Sequence, residues 1–388
     1  PPPPGRLADE KMSRNPEFLA CIQHWRAMAE AVYVCEASSF SLMTQLPESA
    51  VVHAEWNADR NTMRPAYVVC VDVPFASVVV SLRGTSNIAD MLTSAGACPE
   101  AFYGGQAHGG YVKATQALLD EIQPHLLKAF SRGPMGDGAK SKRLKLVLVG
   151  HSMGGAIAIM AGMELRHAYP GLRCWSFSTP ACVSHELASE SAKFATSVVS
   201  AYDVVPRFSL VALEGLRKQL IEFSPKIART ILENDPHWKS VIWTIDTQEV
   251  TMGVCRSLRE KFLQGIGWCQ PTSKQSKDET PQPPCPAVAL YPPGRLIVLV
   301  AEPPGCGKLP QSRSNVPQSR NFGAYPSFEE SLHTKWKLLV AKHEEFLQLI
   351  VSPWSVSDHM LGNICEGIAY LQAQCSPLSL SSCEELFL

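Results

Sequence analysis

Residues 150–154 read Gly-His-Ser-Met-Gly, a serine held between glycines. The surrounding segment 144–156, LKLVLVGHSMGGA, puts this pentapeptide between a β-branched run and a helix-like stretch. That is the context in which G-x-S-x-G specifies a nucleophile elbow. The sequence predicts a strand ending at Val149, a sharp turn at Ser152 and a helix from Met153 to Arg166. Such a turn needs small neighbours, and Gly150 and Gly154 supply them without steric cost. It lifts Ser152 Oγ, beside His151, toward a substrate carbonyl. The amide of Met153 opens the new helix, where negative charge would develop. A tight turn with an idle serine would leave Gly150, Gly154 and Gly155 together unexplained.

A serine hydroxyl is a weak nucleophile. It needs a base to take its proton and a carboxylate to hold that base in the right tautomer. On a strand–elbow–helix scaffold these partners follow in the order serine, acid, histidine. Asp203, directly after the strand-like Val198–Tyr202, is the expected acid, because catalytic groups gather at strand ends in open α/β folds. Its competing role is to cap the turn before Pro206, and Asp246 is the rival acid. His359 is the expected base, after the last strand at the start of the last helix. His237, His333 and His343 also follow Asp203 but sit in or beside polar segments, and His167 suits a helix C-terminus. Asp358 reads as a helix cap. A second oxyanion donor is expected from Ser81–Thr85, where Gly84 lets the backbone approach and Thr85 offers an amide and a hydroxyl. His108-Gly109-Gly110 is the second choice.

The elements that must carry these groups alternate. Phe18, Ile22, Trp25, Ala29 and Val32 recur at helical spacing. Tyr67–Val71 and Ala76–Leu82 read as paired strands, Val51–Trp56 is ambiguous, and 110–127 is helical. After the elbow come Arg173–Phe177, a helix over 185–194, Val198–Tyr202, a helix-like stretch over 211–223, the buried strand Arg295–Ala301 and a helix over 358–373. This order implies a mostly parallel central sheet with helices on both faces. Residues 1–15 are expected to be disordered and 16–375 to form one domain. Polar, mobile insertions are expected at 131–143, 270–286 and 305–326, and a frayed tail at 376–388.

With 388 residues and 45% hydrophobic content the chain has ample material for a large core. A net charge of −1 without a long basic run argues against nucleic acid as a partner. The 13 scattered cysteines, with no C-x-x-C pair, argue against a disulfide framework or a zinc site and for a reducing compartment. The opening Pro1–Pro4, without methionine, is expected to belong to a longer polypeptide.

Seven blocks stand in the order of a known family: VVVSLRGTSNIADMLT (78–93), HGGYVKATQALL (108–119), LVLVGHSMGGAIA (146–158), CWSFSTPACVS (174–184), VVSAYDVVPRFSL (198–210), LYPPGRLIVLV (290–300) and SPWSVSDHMLGNICEGI (352–368). The chain resembles the class 3 (fungal-type) lipases and, within them, the sn-1-specific diacylglycerol lipases. The resemblance implies an α/β-hydrolase fold with Ser152 as nucleophile, Asp203 as acid, His359 as base and Thr85 in the oxyanion hole. It also implies a mobile cover over about 90–107, with Asp90 at its start and Met91, Leu92, Phe102 and Tyr103 facing lipid when open. The expected reaction is hydrolysis of diacylglycerol to monoacylglycerol and fatty acid, at a membrane or lipid-droplet surface. The expected location is the cytoplasmic side of a membrane, with any membrane-spanning region outside the given sequence. No cofactor or metal is required for the chemistry; calcium stimulation and protein partners stay open. The rival readings are a triacylglycerol lipase or phospholipase A1, an acyltransferase using the same acyl-enzyme, and an idle lipid-binding module.

Overall fold

The computed structural model describes residues 6–7, 14–59, 63–85, 99–132, 143–209, 211–213, 215–216, 218–219, 288–302, 335–350, 355 and 357–375. In chain order the strands are β1 (Arg6–Leu7), β2 (Val51–Glu55), β3 (Tyr67–Asp72), β4 (Ser77–Leu82), β5 (Pro99–Phe102), β6 (Gly105–His108), β7 (Lys145–His151), β8 (Arg173–Phe177), β9 (Ala195–Ser200), β10 (Arg295–Glu302) and β11 (Lys335–Ala341). The helices are α1 (Pro16–Ala31), α2 (Ala37–Thr44), α3 (Gly109–Ser131), α4 (Met153–Leu165), α5 (His185–Ser191) and α6 (Leu361–Ala373).

Nine strands form one sheet in the order β1-β11-β10-β9-β8-β7-β4-β3-β2. Its centre, β4, β7, β8, β9 and β10, is parallel. The flanking strands pair antiparallel. Strands β3 and β4 are buried along their whole length, as expected for apolar runs covered on both faces. Alternation along β7 divides the core in two. Leu146 and Leu148 face the side covered by α3 and α4, and Val147 and Val149 face the side covered by α1 and α6. This is the α/β-hydrolase arrangement: a mostly parallel sheet, helices on both faces, and the β7–α4 turn at its centre.

Helix α1 starts where its cap allows. Asn15 Oδ1 accepts from the amides of Glu17 and Phe18 at 3.0 and 3.1 Å, and Pro16 sits in the first turn, where its missing N–H costs nothing. Phe18, Ile22, Trp25 and Met28 are buried against the sheet. His24 Nε2 meets the fully buried Asp72 Oδ2 at 2.6 Å, tying α1 to the end of β3.

Several elements depart from the sequence reading. Within 1–15, expected to be disordered, Arg6 and Leu7 pair with Val340 and Leu339, and Asn15 caps α1. Strand β11 and the hairpin β5–β6 have no counterpart in that reading, and the ambiguous 51–56 region is the edge strand β2. The 270–286 and 305–326 insertions, most of the 131–143 loop and the 376–388 tail lie outside the described residues. No helix among the described residues is long and apolar enough to cross a membrane.

Candidate active site

Ser152 stands between β7 and α4 with φ +57° and ψ −128°. A non-glycine residue in this region is strained, and such strain persists only where the surroundings hold it. The surroundings here are tight. A Cβ on Gly150 would lie 2.3 Å from the backbone carbon of Gly154, and one on Gly154 would lie 2.3 Å from the carbonyl oxygen of Leu82. The Ser152 N–H donates to the Phe177 carbonyl at 2.8 Å, which fixes the elbow to β8. Met153 is the first residue of α4, so its amide is one that the helix itself leaves without an intrahelical acceptor.

Asp203 and His359, 156 residues apart, are in contact. His359 Nδ1 lies 3.1 and 3.2 Å from the two Asp203 oxygens, with both side chains buried. An ionised carboxylate only accepts, so Nδ1 carries the proton and Nε2 presents a lone pair. Asp203 Oδ1 also accepts from Val205 N–H at 2.9 Å, which locks the turn after β9. The His359 ring lies 4.9 Å from that of His151, the residue before Ser152. The Ser152 turn, Asp203 and His359 thus lie together at one end of the parallel strands.

His151 is fully inside. Its Nε2 meets the His359 carbonyl at 2.9 Å and its Nδ1 meets the Tyr33 hydroxyl at 2.9 Å. Burial, then the neighbouring His359, holds its pKa down to about 4, so it is neutral near pH 7. The oxyanion-loop candidate lies alongside: a Cβ on Gly84 would be 3.1 Å from Ser152 Cβ. Thr85 is the next residue, half-buried.

Asp358 is not the expected helix cap. Met360 occupies the cap of α6 and makes no side-chain capping bond. Asp358 Oδ2 instead accepts from Tyr202 N–H at 3.0 Å, and its Oδ1 accepts from Asn363 Nδ2 at 2.9 Å. It therefore joins the turn carrying Asp203 to the turn carrying His359. Burial, with the negative Asp203 adding, pushes its carboxyl up to about 6 against these two donors. Arg207, in the same block as Asp203, is buried and donates through Nη1 to the Glu345 carbonyl at 2.9 Å, with its guanidinium over Phe346. Sequence reasoning missed Tyr33, and it missed the role of Asp358, because their partners are far away along the chain.

The other candidates disperse. His343 Nε2 meets the Gly294 carbonyl at 2.9 Å, and His167 meets the Tyr103 hydroxyl at 2.7 Å. His108 caps α3 through Nδ1, which accepts from Tyr111 N–H. Asp246, His237 and His333, with Asp90, Met91 and Leu92 of the expected cover, lie outside the described residues. Phe102 is buried in the core cluster of α3 and α4, and Tyr103 packs against that cluster in the β5–β6 hairpin.

Among the described residues one group could hold a metal: His53, Glu121 and His125 bring ligand atoms within 4.8 Å of one another. The two rings stack 3.5 Å apart and nearly parallel, so their in-plane lone pairs do not converge. Glu121 is already engaged by Tyr67 and Arg64. The group reads as a stacked, ion-paired clasp between β2 and α3.

Residues 79–212 match the Lipase (class 3) family. Human diacylglycerol lipase-alpha is 30% identical over 320 residues, which is 78% of this chain and 27% of that protein. Mouse diacylglycerol lipase-beta is 31% identical over 196 residues, 48% of this chain and 28% of that protein. The chain therefore spans about a quarter of the length of these relatives. A solved Rhizomucor miehei lipase propeptide complex aligns with 53% of this chain and 66% of its own, at 15% identity and a TM-score of 0.41. Residues 79–212 thus carry the class 3 lipase match, and the likeness to the diacylglycerol lipases extends it over most of this chain.

Proposed function

We propose that this chain is a serine-dependent lipase that hydrolyses acyl esters of glycerolipids, with diacylglycerol as its substrate, giving monoacylglycerol and fatty acid. The observation that carries the reading is the Asp203–His359 contact next to a strained serine on a nucleophile elbow. Similarity to diacylglycerol lipases supports the choice of substrate.

In the proposed cycle His359 Nε2 takes the Ser152 proton as Oγ bonds to the ester carbonyl carbon. The carbonyl oxygen becomes an oxyanion held by Met153 N–H and by Thr85. The C–O bond to the alcohol breaks, and His359 returns the proton to the leaving oxygen. Water then attacks the acyl-enzyme by the same proton path and frees the fatty acid. Asp203 keeps the imidazole oriented and offsets its transient charge. Nucleophile, base and acid all come from the chain, and the scheme routes no step through a cofactor. The lipid would be met at a membrane or lipid-droplet surface.

Ser152→Ala is expected to lower turnover roughly 10⁴–10⁶-fold. The assay is release of fatty acid from vesicles or emulsions of diacylglycerol, triacylglycerol and phospholipid, using purified wild type and variant. Equal release by the variant would sink the nucleophile assignment. Preference for triacylglycerol or phospholipid would replace the substrate assignment, and acyl transfer to an added alcohol in place of hydrolysis would replace the reaction.

A further inference from the structure

We propose that Tyr33 is a positioning residue of this site, coupling the loop that holds the oxyanion to the residue that carries the base. The inference rests on the ester-hydrolase reading above. It starts from three contacts. The Gly84 N–H donates to the Tyr33 hydroxyl oxygen at 3.1 Å, Tyr33 OH meets His151 Nδ1 at 2.9 Å, and His151 Nε2 meets the His359 carbonyl at 2.9 Å.

The proton positions in this series follow from chemistry. A carbonyl oxygen can only accept, so His151 Nε2 is the protonated nitrogen. The neutral ring then offers Nδ1 as an acceptor, and Tyr33 must donate its one hydroxyl proton there. A hydroxyl oxygen that donates still accepts, and the Gly84 amide fills that role. The four groups form one directed series, from a backbone amide at the end of β4, through a side chain in the turn after α1, to the backbone of His359. Hydrogen bonds in such a series polarise one another and gain in a low-dielectric interior.

Two consequences follow for the reaction. First, the Gly84 amide is committed to Tyr33, so the loop's contribution to the oxyanion falls to Thr85. Second, the same hydroxyl that sets the height of this loop sets His151, and His151 sets the backbone from which the His359 imidazole hangs. Gly84 leaves no slack: a Cβ there would lie 2.6 Å from the His151 carbonyl and 2.8 Å from the Tyr33 hydroxyl. Tyr33 reaches the site from a 3-10 turn, 118 residues before the ring it contacts. The packing of α1 is thereby tied to the reacting centre.

Tyr33→Phe keeps the ring and removes the one atom the series needs. Direct loss of an oxyanion donor costs about 10²–10³ in kcat; acting at one remove, Tyr33→Phe should lower kcat roughly 10–100-fold. KM for a water-soluble p-nitrophenyl ester should stay within about threefold, and the rate of Ser152 labelling by a fluorophosphonate should fall in parallel with kcat. The matched control is Tyr67→Phe, which deletes the hydroxyl bonded to Glu121 Oε1 at 2.9 Å on the other face of the sheet. It should lower the thermal midpoint and leave kcat and labelling unchanged. If Tyr33→Phe behaves like Tyr67→Phe, with stability lost and kcat kept, the proposal is overturned. Should Tyr33→Phe fail to fold, Gly84→Ala is the second variant: its methyl group would press on both the His151 carbonyl and the Tyr33 hydroxyl, and an unchanged kcat overturns the proposal. Failure of the underlying reading looks different, since wild type would then show no Ser152-dependent hydrolysis or labelling at all.

Discussion

At the scale of single residues, the Asp203–His359 contact does two jobs: it fixes the imidazole's orientation and its tautomer. Both carboxylate oxygens face Nδ1, at 3.1 and 3.2 Å, so whichever bond forms, the proton sits on Nδ1. Asp203→Asn would present an amide N–H₂ to that nitrogen as readily as an amide oxygen, and the imidazole proton could then move to Nε2, where it blocks the base. The expected result is a fall in kcat of about 10⁴-fold with a soluble ester and little change in KM. A variant within tenfold of wild type would remove Asp203 from the proposed triad. Chain order after Ser152 singles out Asp203 and His359 in the sequence, and the fold puts these two side chains in contact. Tyr33 was not legible there, since a tyrosine after an amphipathic helix carries no local sign of a contact with residues 84 and 151. Asp358 was misread for a related reason. An aspartate just before a helix looks like a cap, and only the folded chain puts Tyr202 N–H within its reach.

At the scale of elements, the legible ones are those whose burial is continuous or strictly periodic. Strands β4, β7 and β8 are apolar runs bounded by turns, and α1 shows its stripe. Strand β11 was missed because Lys335, Trp336 and Lys337 break the apolar pattern at an outer position in the sheet, where burial is incomplete. The β5–β6 hairpin lies within the stretch of about 90–107 that the family resemblance marks as a mobile cover. In the fold Phe102 belongs to the core cluster. Phe102→Ala should therefore behave as a core truncation and cost about 3–5 kcal/mol of stability. Urea unfolding of wild type and variant checks this. A stability loss below about 1 kcal/mol, with altered activity only on lipid interfaces, would return the hairpin to the role of a cover. A second element-scale prediction concerns α1. His24→Ala leaves the buried Asp72 Oδ2 without its hydrogen bond, while Oδ1 keeps the Phe75 N–H at 3.2 Å. A buried carboxylate oxygen left without its hydrogen bond costs about 1–3 kcal/mol. The loss should appear in urea unfolding and be absent from the doubly substituted His24→Ala, Asp72→Asn chain; equal losses in both would show that the pair contributes nothing specific.

At the scale of the whole molecule, two buried groups beside the site give its stability opposing pH dependences. His151 has its pKa held down to about 4, first by burial, against about 6.5 when unfolded. Between those values the unfolded chain binds more protons, so this contribution is complete above pH 6.5 and is lost as pH falls toward 4. Asp358 has its carboxyl pushed up to about 6, again first by burial, against about 3.8. In that window the folded chain binds more protons, so its contribution is complete at low pH and is lost as pH rises through 6. Each shift corresponds to about 3 kcal/mol, and between pH 4 and 6 the two slopes nearly cancel. Asp358→Asn removes one of them. The variant has a fixed cost, because its amide N–H₂ meets the donor Tyr202 N–H or Asn363 Nδ2 in place of a carboxylate oxygen. Relative to wild type, however, it should gain about 3 kcal/mol on going from pH 4 to pH 7, with nearly all of the change complete by pH 6.5. Its own stability should fall steeply on acidification through the range where His151 protonates. Urea unfolding of both proteins at half-unit steps of pH separates the fixed cost from the slope. A constant difference across the range would mean that Asp358 ionises in the folded protein as it does in the unfolded chain, and that the turn joining acid to base carries a full charge at every working pH.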